Sequence, residues 1–583
     1  MRAVREREDQ FSPTSTIHTL VDEPHRLRQC ASRRSDDSIM AGTDAATATA
    51  AGDLSKTVSR HSRLSVVDPE ERAEEEAPED VIWVEWDGPD DPANPLNWSK
   101  RRKWLISSVG ILFCALVSFS VSGYSIAAES VQETFNCSKT LALLGITLFT
   151  VTFGAAPLLL APLSEVYGRS YIYFISAVIF FLCFLPQALA NSIALVLVFR
   201  FISGIAGSTA VSLVGGTLAD VWRGEDRGTP MALFSFAAFG STGLGPVVFG
   251  YLAQIKGFRY VSWAMFAMSG VFAVILPFVL DETRGSVLLS RKAAKLRKAT
   301  GDDRYQSKAD YERASLVEMF RTSLGRPVRM LLTEPVLVAI TLWISFTWAV
   351  LYLFLVSIPY VYGRVYHFST GEAGLVYITQ FLGSCIGMAY DQYCGRFYRR
   401  NVEKRGPEAR LYSAFGGGIC VPLGAFIFCG TSLPNVHWVG SCIGVVVLYI
   451  GMYLTYLVSF SYLADAYALY ASSALSAMSF VRNVIGAVFP LFTQQMYDRL
   501  GVQGATGLTA GLGTLLASTP FLIFVYGARL RARSPFAKEL AKREEEDRVR
   551  RDAAHNSSSR DTSRTRAGAL TREVDEEKEK EIA

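Results

Sequence analysis

Two arginines stand inside long apolar runs, Arg200 and Arg482. An ionisable side chain in a run of membrane length is costly, so by default it marks a function or a specific internal bond. A guanidinium offers five donors in a planar fork and stays charged at any relevant pH, which suits a carboxylate or phosphate. Arg200 lies about 11 Å along its helix from one end of the run, and Arg482 about 20 Å, near the middle. Arg482 reads as a cavity-facing group that binds a polar or anionic part of a ligand. Arg200 has two open readings, a functional charge or a buttress bonded to carbonyls. No Asp, Glu or His lies at mid-run; Glu129, His367 and His437 sit at run ends. The pattern lacks GxxxxGK[ST], HExxH and CxxC, so a nucleotide site, a zinc protease site and a thiol metal site are not expected. The expectation is a non-enzyme with no cofactor, no metal and no nucleic-acid partner.

A second set of charges repeats. Residues 161–169 read APLSEVYGR and residues 387–396 read GMAYDQYCGR. Each copy has a small residue, an acid four positions on (Glu165, Asp391), then a Gly-Arg pair (Gly168-Arg169, Gly395-Arg396). Each closes the second apolar run of a set of six. Asp220 and Asp465 share a Leu-Ala-Asp context at the ends of the fourth and tenth runs. Arg169 could pair with Asp220, and Arg396 with Asp465, as latches that hold one conformation. The competing reading is surface charge at helix ends, where a pair contributes only ~0–1 kcal/mol.

The elements that must position these groups are apolar runs. Crossing a ~30 Å hydrocarbon core takes roughly 20 apolar residues. Twelve runs qualify, six between residues 104 and 280 and six between 335 and 527, with a polar insert at 281–334. Runs this long leave no polar face for water, which argues against core helices of a soluble protein. Lys and Arg cluster in the segments at 169, 223–227, 284–329 and 396–410, while the alternate connections hold only Lys139, Lys256, Arg259, Arg364 and Arg499. That asymmetry predicts both termini in the cytosol. Residues 1 to about 95 lack periodicity and cannot bury enough apolar area to offset ordering, so disorder is expected there. Glycines crowd the fourth and fifth runs, including Gly204 and Gly245-Pro246. They allow close helix approach, and the proline could also bend the fifth run into a hinge. Asn136-Cys-Ser138 is a glycosylation sequon in the first outer connection. Aromatic residues in the seventh and eighth runs, Trp343, Phe346, Trp348 and Tyr352 among them, would suit the walls of a cavity for amphipathic molecules; the competing reading, favoured for any single one, is that it faces lipid.

These motifs together resemble the major facilitator superfamily, and within it the fungal twelve-span drug:proton antiporters. The segment 161–169 is similar to the loop signature between spans two and three, with Ala161, Glu165 and Ser170 departing from it. Arg200 through Gly204 is similar to the span-four signature. Gly245-Pro246 is similar to the core of the span-five antiporter signature, with Ser241 and Phe249 where glycine is expected. DPANPLNW, DETRG, GRPVRMLLTEP, YLADAY and RLRARSPFA extend the likeness over residues 84–537.

The resemblance implies an all-α membrane protein of twelve transmembrane helices in two pseudo-symmetric six-helix bundles. Expected divisions are a mostly disordered tail at 1–99, bundles at 100–282 and 334–528, a central cytosolic loop at 283–333, and a second tail at 529–583. It further implies a monomeric secondary transporter of the plasma membrane that exports small organic molecules, with protons as the coupling ion. Coupling would fall to Glu165, Asp220 or Glu129. The two buried arginines and the lack of cavity carboxylates favour neutral or anionic cargo over polyamines. A polyamine exporter and a non-transporting nutrient sensor on the same fold are the alternative readings.

Overall fold

The computed structural model describes residues 81–223, 226–311 and 316–534, with 536, 538 and 542. Helix dominates because the apolar runs satisfy their backbone groups internally, as hydrocarbon requires. Among the described residues, ten helical stretches are long and apolar enough to cross a membrane, and the pair Lys139–Ala155 and Pro157–Tyr167, bent by 45°, makes eleven. The last stretch, Ala471–Arg533, has 63 residues, about 95 Å if straight, against a ~30 Å core. Gly501 breaks it with φ 72° and ψ 172°, a backbone that glycine adopts without Cβ strain. Side-chain contacts show that the chain reverses there. Asp498 meets Arg364 at the far end of span seven, and Arg531 then meets Glu408 before span nine. Divided at Gly501, the described residues therefore hold twelve.

Spans one to six run from Lys100 to Val279 and spans seven to twelve from Pro335 to Arg533. Serine side chains cap several of them: Ser99, Ser138, Ser192 and Ser369 each accept from a backbone N–H in the first turn. Within each half, span one packs along span five and span seven along span eleven; between halves, span five meets span eight and span two meets span eleven. One end of the bundle carries Arg169, Asp220, Glu282, Glu408, Arg410 and Asp465, and is called the basic end below. Toward the opposite end, hydrogen bonds join the halves. Thr147 Oγ1 donates to the Ala487 carbonyl at 2.7 Å, Ser125 Oγ to the Leu355 carbonyl at 3.0 Å, and the Gly371 N–H to Gln254 Oε1 at 2.8 Å.

The expectation of disorder for residues 1 to about 95 falls largely outside the described residues, as does most of the tail at 529–583, whose first residues complete the helix Thr519–Arg533. Over 81–95 it needs correction. Strand β1 (Ile82–Trp83) pairs in parallel with strand β2 (Tyr305–Gln306) of the central segment. Trp83 packs edge-on against Tyr311, with ring centroids 5.6 Å apart. Lys292 Nζ reaches Asp87 at 2.6 Å, and the Asp91 carboxylate accepts the backbone N–H groups of Asp87 and Ala93 at 3.0 and 2.8 Å. Partners far along the chain supply the burial that composition alone lacked. The central segment is itself helical at Gly285–Thr300 and Leu316–Thr333.

Candidate functional site

Arg169 is the first residue of span three, directly after Gly168, whose φ of 103° turns the chain sharply out of span two. Its guanidinium lies against the backbone of Gly216, where any side chain would collide with it. That gap lets Nε donate to Asp220 Oδ2 at the end of span four. Arg284 Nη1 approaches the other oxygen of Asp220 at 3.4 Å. Beside this pair Glu282, almost fully buried, accepts the Arg169 N–H at 3.0 Å and the Ser170 hydroxyl at 2.9 Å. Spans three, four and six are thus joined by one charged network. Glu282 stood in the sequence within DETRG, but nothing in its spacing marked it as a partner of Arg169. Glu165 is exposed at the end of span two.

The second half is built differently, and the pairing of Arg396 with Asp465 is not what forms. Gly395 and Arg396 lie inside an uninterrupted helix, Ile378–Arg405, so no turn brings Arg396 to span ten. Arg396 is exposed, with its guanidinium 5.9 Å from the Tyr393 ring. Arg410, at the start of span nine, takes the place expected of it: Nε donates to Asp465 Oδ2 at 2.8 Å. Two residues earlier, buried Glu408 binds Arg531 at the end of span twelve through contacts of 2.6–3.0 Å. Asp391 lies half-buried within span eight.

Arg200 is fully buried. It donates to the Gly145 carbonyl at 3.2 Å and to the Ser120 carbonyl and hydroxyl at 3.2 and 3.0 Å. Its guanidinium lies 4.4 Å from the Tyr124 ring and 4.6 Å from that of Phe149. These bonds tie spans one, two and four together, the buttress geometry. Gly204, one turn on, faces Thr152 and the Phe149 backbone, which lets spans two and four touch. Gly245 packs on Ser122 of span one, and span five remains helical from Gly228 to Lys256 through Pro246. Asn136 is an exposed left-handed cap ahead of span two, and the sequon's Ser138 hydroxyl caps that span.

Arg482 lines a small cavity between the halves. Cys114, Val121, Phe153, Thr242 and Leu351 form part of the wall. The guanidinium is 4.1 Å from the Trp348 ring, 5.1 Å from Tyr456 and 5.4 Å from Phe460, an arrangement that offsets part of the charge's desolvation. Trp348 and Tyr456 stack at 5.7 Å, and Phe239 from the other half abuts both. Asn483 Oδ1 accepts from Trp348 Nε1 at 3.2 Å and fixes the indole. Arg482 Nη2 reaches Ser479 Oγ at 3.3 Å. The Tyr456 hydroxyl is close enough to interact with the charge, yet Nε and Nη1 have no hydrogen-bond partner among the described residues. Tyr456 and Phe239 escaped the sequence reading because their helices are apolar on every face, and periodicity cannot pick a cavity side there.

Twelve spans in two matched bundles, with a buried charge facing a cavity between them, define a polytopic transporter of the two-bundle class. The Major Facilitator Superfamily profile matches residues 109–490. The chain belongs to that superfamily. It is 36% identical over 456 residues to the MFS-type transporter paaT of Penicillium rubens, covering 77% of this chain and 82% of that one. It is 34% identical to the efflux pump radE of Floropilus chiversii, covering 78% and 86%. Identity is also 34% to the multidrug transporter mdrA of Aspergillus fumigatus, covering 79% and 76%. Among solved structures, the proton:xylose symporter XylE superposes with TM-score 0.54 at 16% identity, covering 74% and 96%. The peptide transporter POT superposes with TM-score 0.55 at 13% identity, covering 75% and 97%. At these identities the structural likeness speaks for the fold alone.

Proposed function

We propose that this transporter exports small organic molecules, neutral or anionic, across the plasma membrane by alternating access coupled to proton entry. The observation that carries the cargo reading is Arg482: a buried cation in an aromatic-walled cavity with two N–H groups lacking a partner. A buried unpaired donor is costly, and a carboxylate, phenolate or carbonyl of the cargo would satisfy it. The stacked rings would take the apolar body. Several relatives are named as efflux pumps or biosynthesis-cluster transporters, which supports export of an endogenous secondary metabolite or a drug.

In this reading the basic end faces the cytosol and both termini lie there, because Lys and Arg concentrate on that side. The Arg169–Asp220 network and the Arg410–Asp465 pair act as latches, each bracing the basic end of its own half in one state. Release of Arg169 and Arg284 from Asp220 would open the first of these. Asn136 would face outward and be open to glycosylation, and the chain would act as a monomer. The test is efflux from proteoliposomes with an imposed pH gradient, using paired neutral and anionic aromatic substrates. Export that is gradient-driven and stronger for the anion supports the reading. Transport indifferent to the gradient removes antiport, and equal rates for the pair remove the anion preference.

A further inference from the structure

The helix Leu316–Thr333 of the central segment is amphipathic in an unusual sense, because it has two apolar sides. One side is buried: Pro327 and Met330 pack down, and the helix contacts the basic ends of spans two and eleven. The other side is an open stripe, Leu324, Val328 and Leu332, exposed by 43%, 56% and 81%. Spacing of four residues places all three on one face. Arg321 falls within the same arc, and exposed Arg329 borders it. Thr322, by contrast, is exposed outside that arc, in line with Arg329 along the helix.

The helix cannot sit far from the membrane boundary. Glu334 is its only link to Pro335, the first residue of span seven. Leu159 and Tyr167, on the part of span two that this helix contacts, are likewise exposed apolar side chains. An apolar stripe with basic residues at its edge fits the boundary of a bilayer that carries negative headgroups.

We propose that Leu316–Thr333 is an interfacial helix whose Leu324–Val328–Leu332 stripe is seated in the anionic leaflet at the basic end of the bundle. Arg321 and Arg329 lie at headgroup level. The segment that joins the two halves is then anchored to lipid, and its position depends on headgroup charge.

The test uses full-length protein lacking native cysteines, with nitroxides at Val328→Cys, Leu332→Cys or Thr322→Cys. All three sites are exposed, so labelling does not disturb packing. Each variant is reconstituted in bilayers of phosphatidylcholine alone or with phosphatidylserine added, and relaxation by oxygen is compared with relaxation by an aqueous nickel chelate. The expected result is oxygen-dominated relaxation at Val328 and Leu332, stronger with phosphatidylserine, and nickel-dominated relaxation at Thr322. Arg321→Gln should shift the docked-to-undocked ratio at Val328 about fivefold in serine-containing bilayers and little in neutral ones. Nickel-dominated relaxation at all three positions would overturn the proposal. Dipolar coupling between labels on two copies, with nickel excluded equally in both lipid mixtures, would overturn it in favour of a second copy on the stripe.

Discussion

Arg410 faces Asp465 as Arg169 faces Asp220: in both halves the first turn of an odd-numbered span supplies the base and the end of the next span supplies the acid. The flanking bonds have opposite sign. Span six brings an acid, Glu282, to the Arg169 backbone, whereas span twelve brings a base, Arg531, to Glu408. The two ends of the pseudo-repeat therefore share a plan but not a charge pattern, and cannot swap partners.

Removing one partner of each pair should separate the two latches. The side chains of Arg169 and Asp220 are only 7% and 11% exposed, those of Arg410 and Asp465 36% and 33%. Leaving a charge alone at the buried pair should cost about 3–5 kcal/mol, and at the open pair about 1 kcal/mol or less. Asp220→Asn should therefore lower the melting temperature in detergent far more than Asp465→Asn. Both should slow transport, while Arg396→Ala should leave it near the parent rate. A strong transport defect in Arg396→Ala, with Arg410→Ala unaffected, would reverse the pairing assigned to the second half.

Arg482→Lys keeps a charge but loses the planar fork, so export should fall measurably at matched surface expression. Arg482→Gln should fall further, and further still for anionic than for neutral substrates. Equal export by both variants across the panel would remove Arg482 as a binding group, and loss of the protein from the membrane would assign it to folding.

Glu408→Gln should destabilise the second bundle by about 2–4 kcal/mol, because it leaves the partly buried Arg531 without a carboxylate. The measurement is thermal unfolding of the purified protein, with Lys404→Gln, an exposed charge nearby, as the comparison. Similar melting of the two variants would show that the bidentate contact contributes little.

Orientation is open to direct labelling. Gly406 and Gly501 both have positive φ, so cysteine there would be strained; Lys404 and Arg499 are exposed neighbours without that constraint. In intact cells a membrane-impermeant maleimide should reach Gly363→Cys and Arg499→Cys and miss Lys404→Cys. The opposite pattern would invert the topology.

The spans were legible because twenty-residue apolar runs admit few alternatives in water or lipid, and Arg169 and Asp220 because the Gly168 turn is local. Arg410 was hidden for a physical reason. The second copy of the motif keeps Gly395-Arg396 but not the turn, and the helix continues to Arg405, so the equivalent base arises fourteen residues later. The order at Ile82–Trp83 was hidden because its partner strand lies more than two hundred residues away. The lining of the Arg482 cavity was hidden because an apolar helix has no polar face by which to tell cavity from lipid.

Gly501 leaves no loop between spans eleven and twelve, so the two meet at a one-residue bend. Arg482 sits halfway along one arm and Arg531 at the tip of the other. If cargo seats at Arg482, a tilt of the first arm meets no loop at Gly501 that would give it slack before the arm that ends at the Arg531–Glu408 contact. Inserting flexible residues at the bend would supply that slack, and the protein could then hold its cargo without passing the strain to the far end.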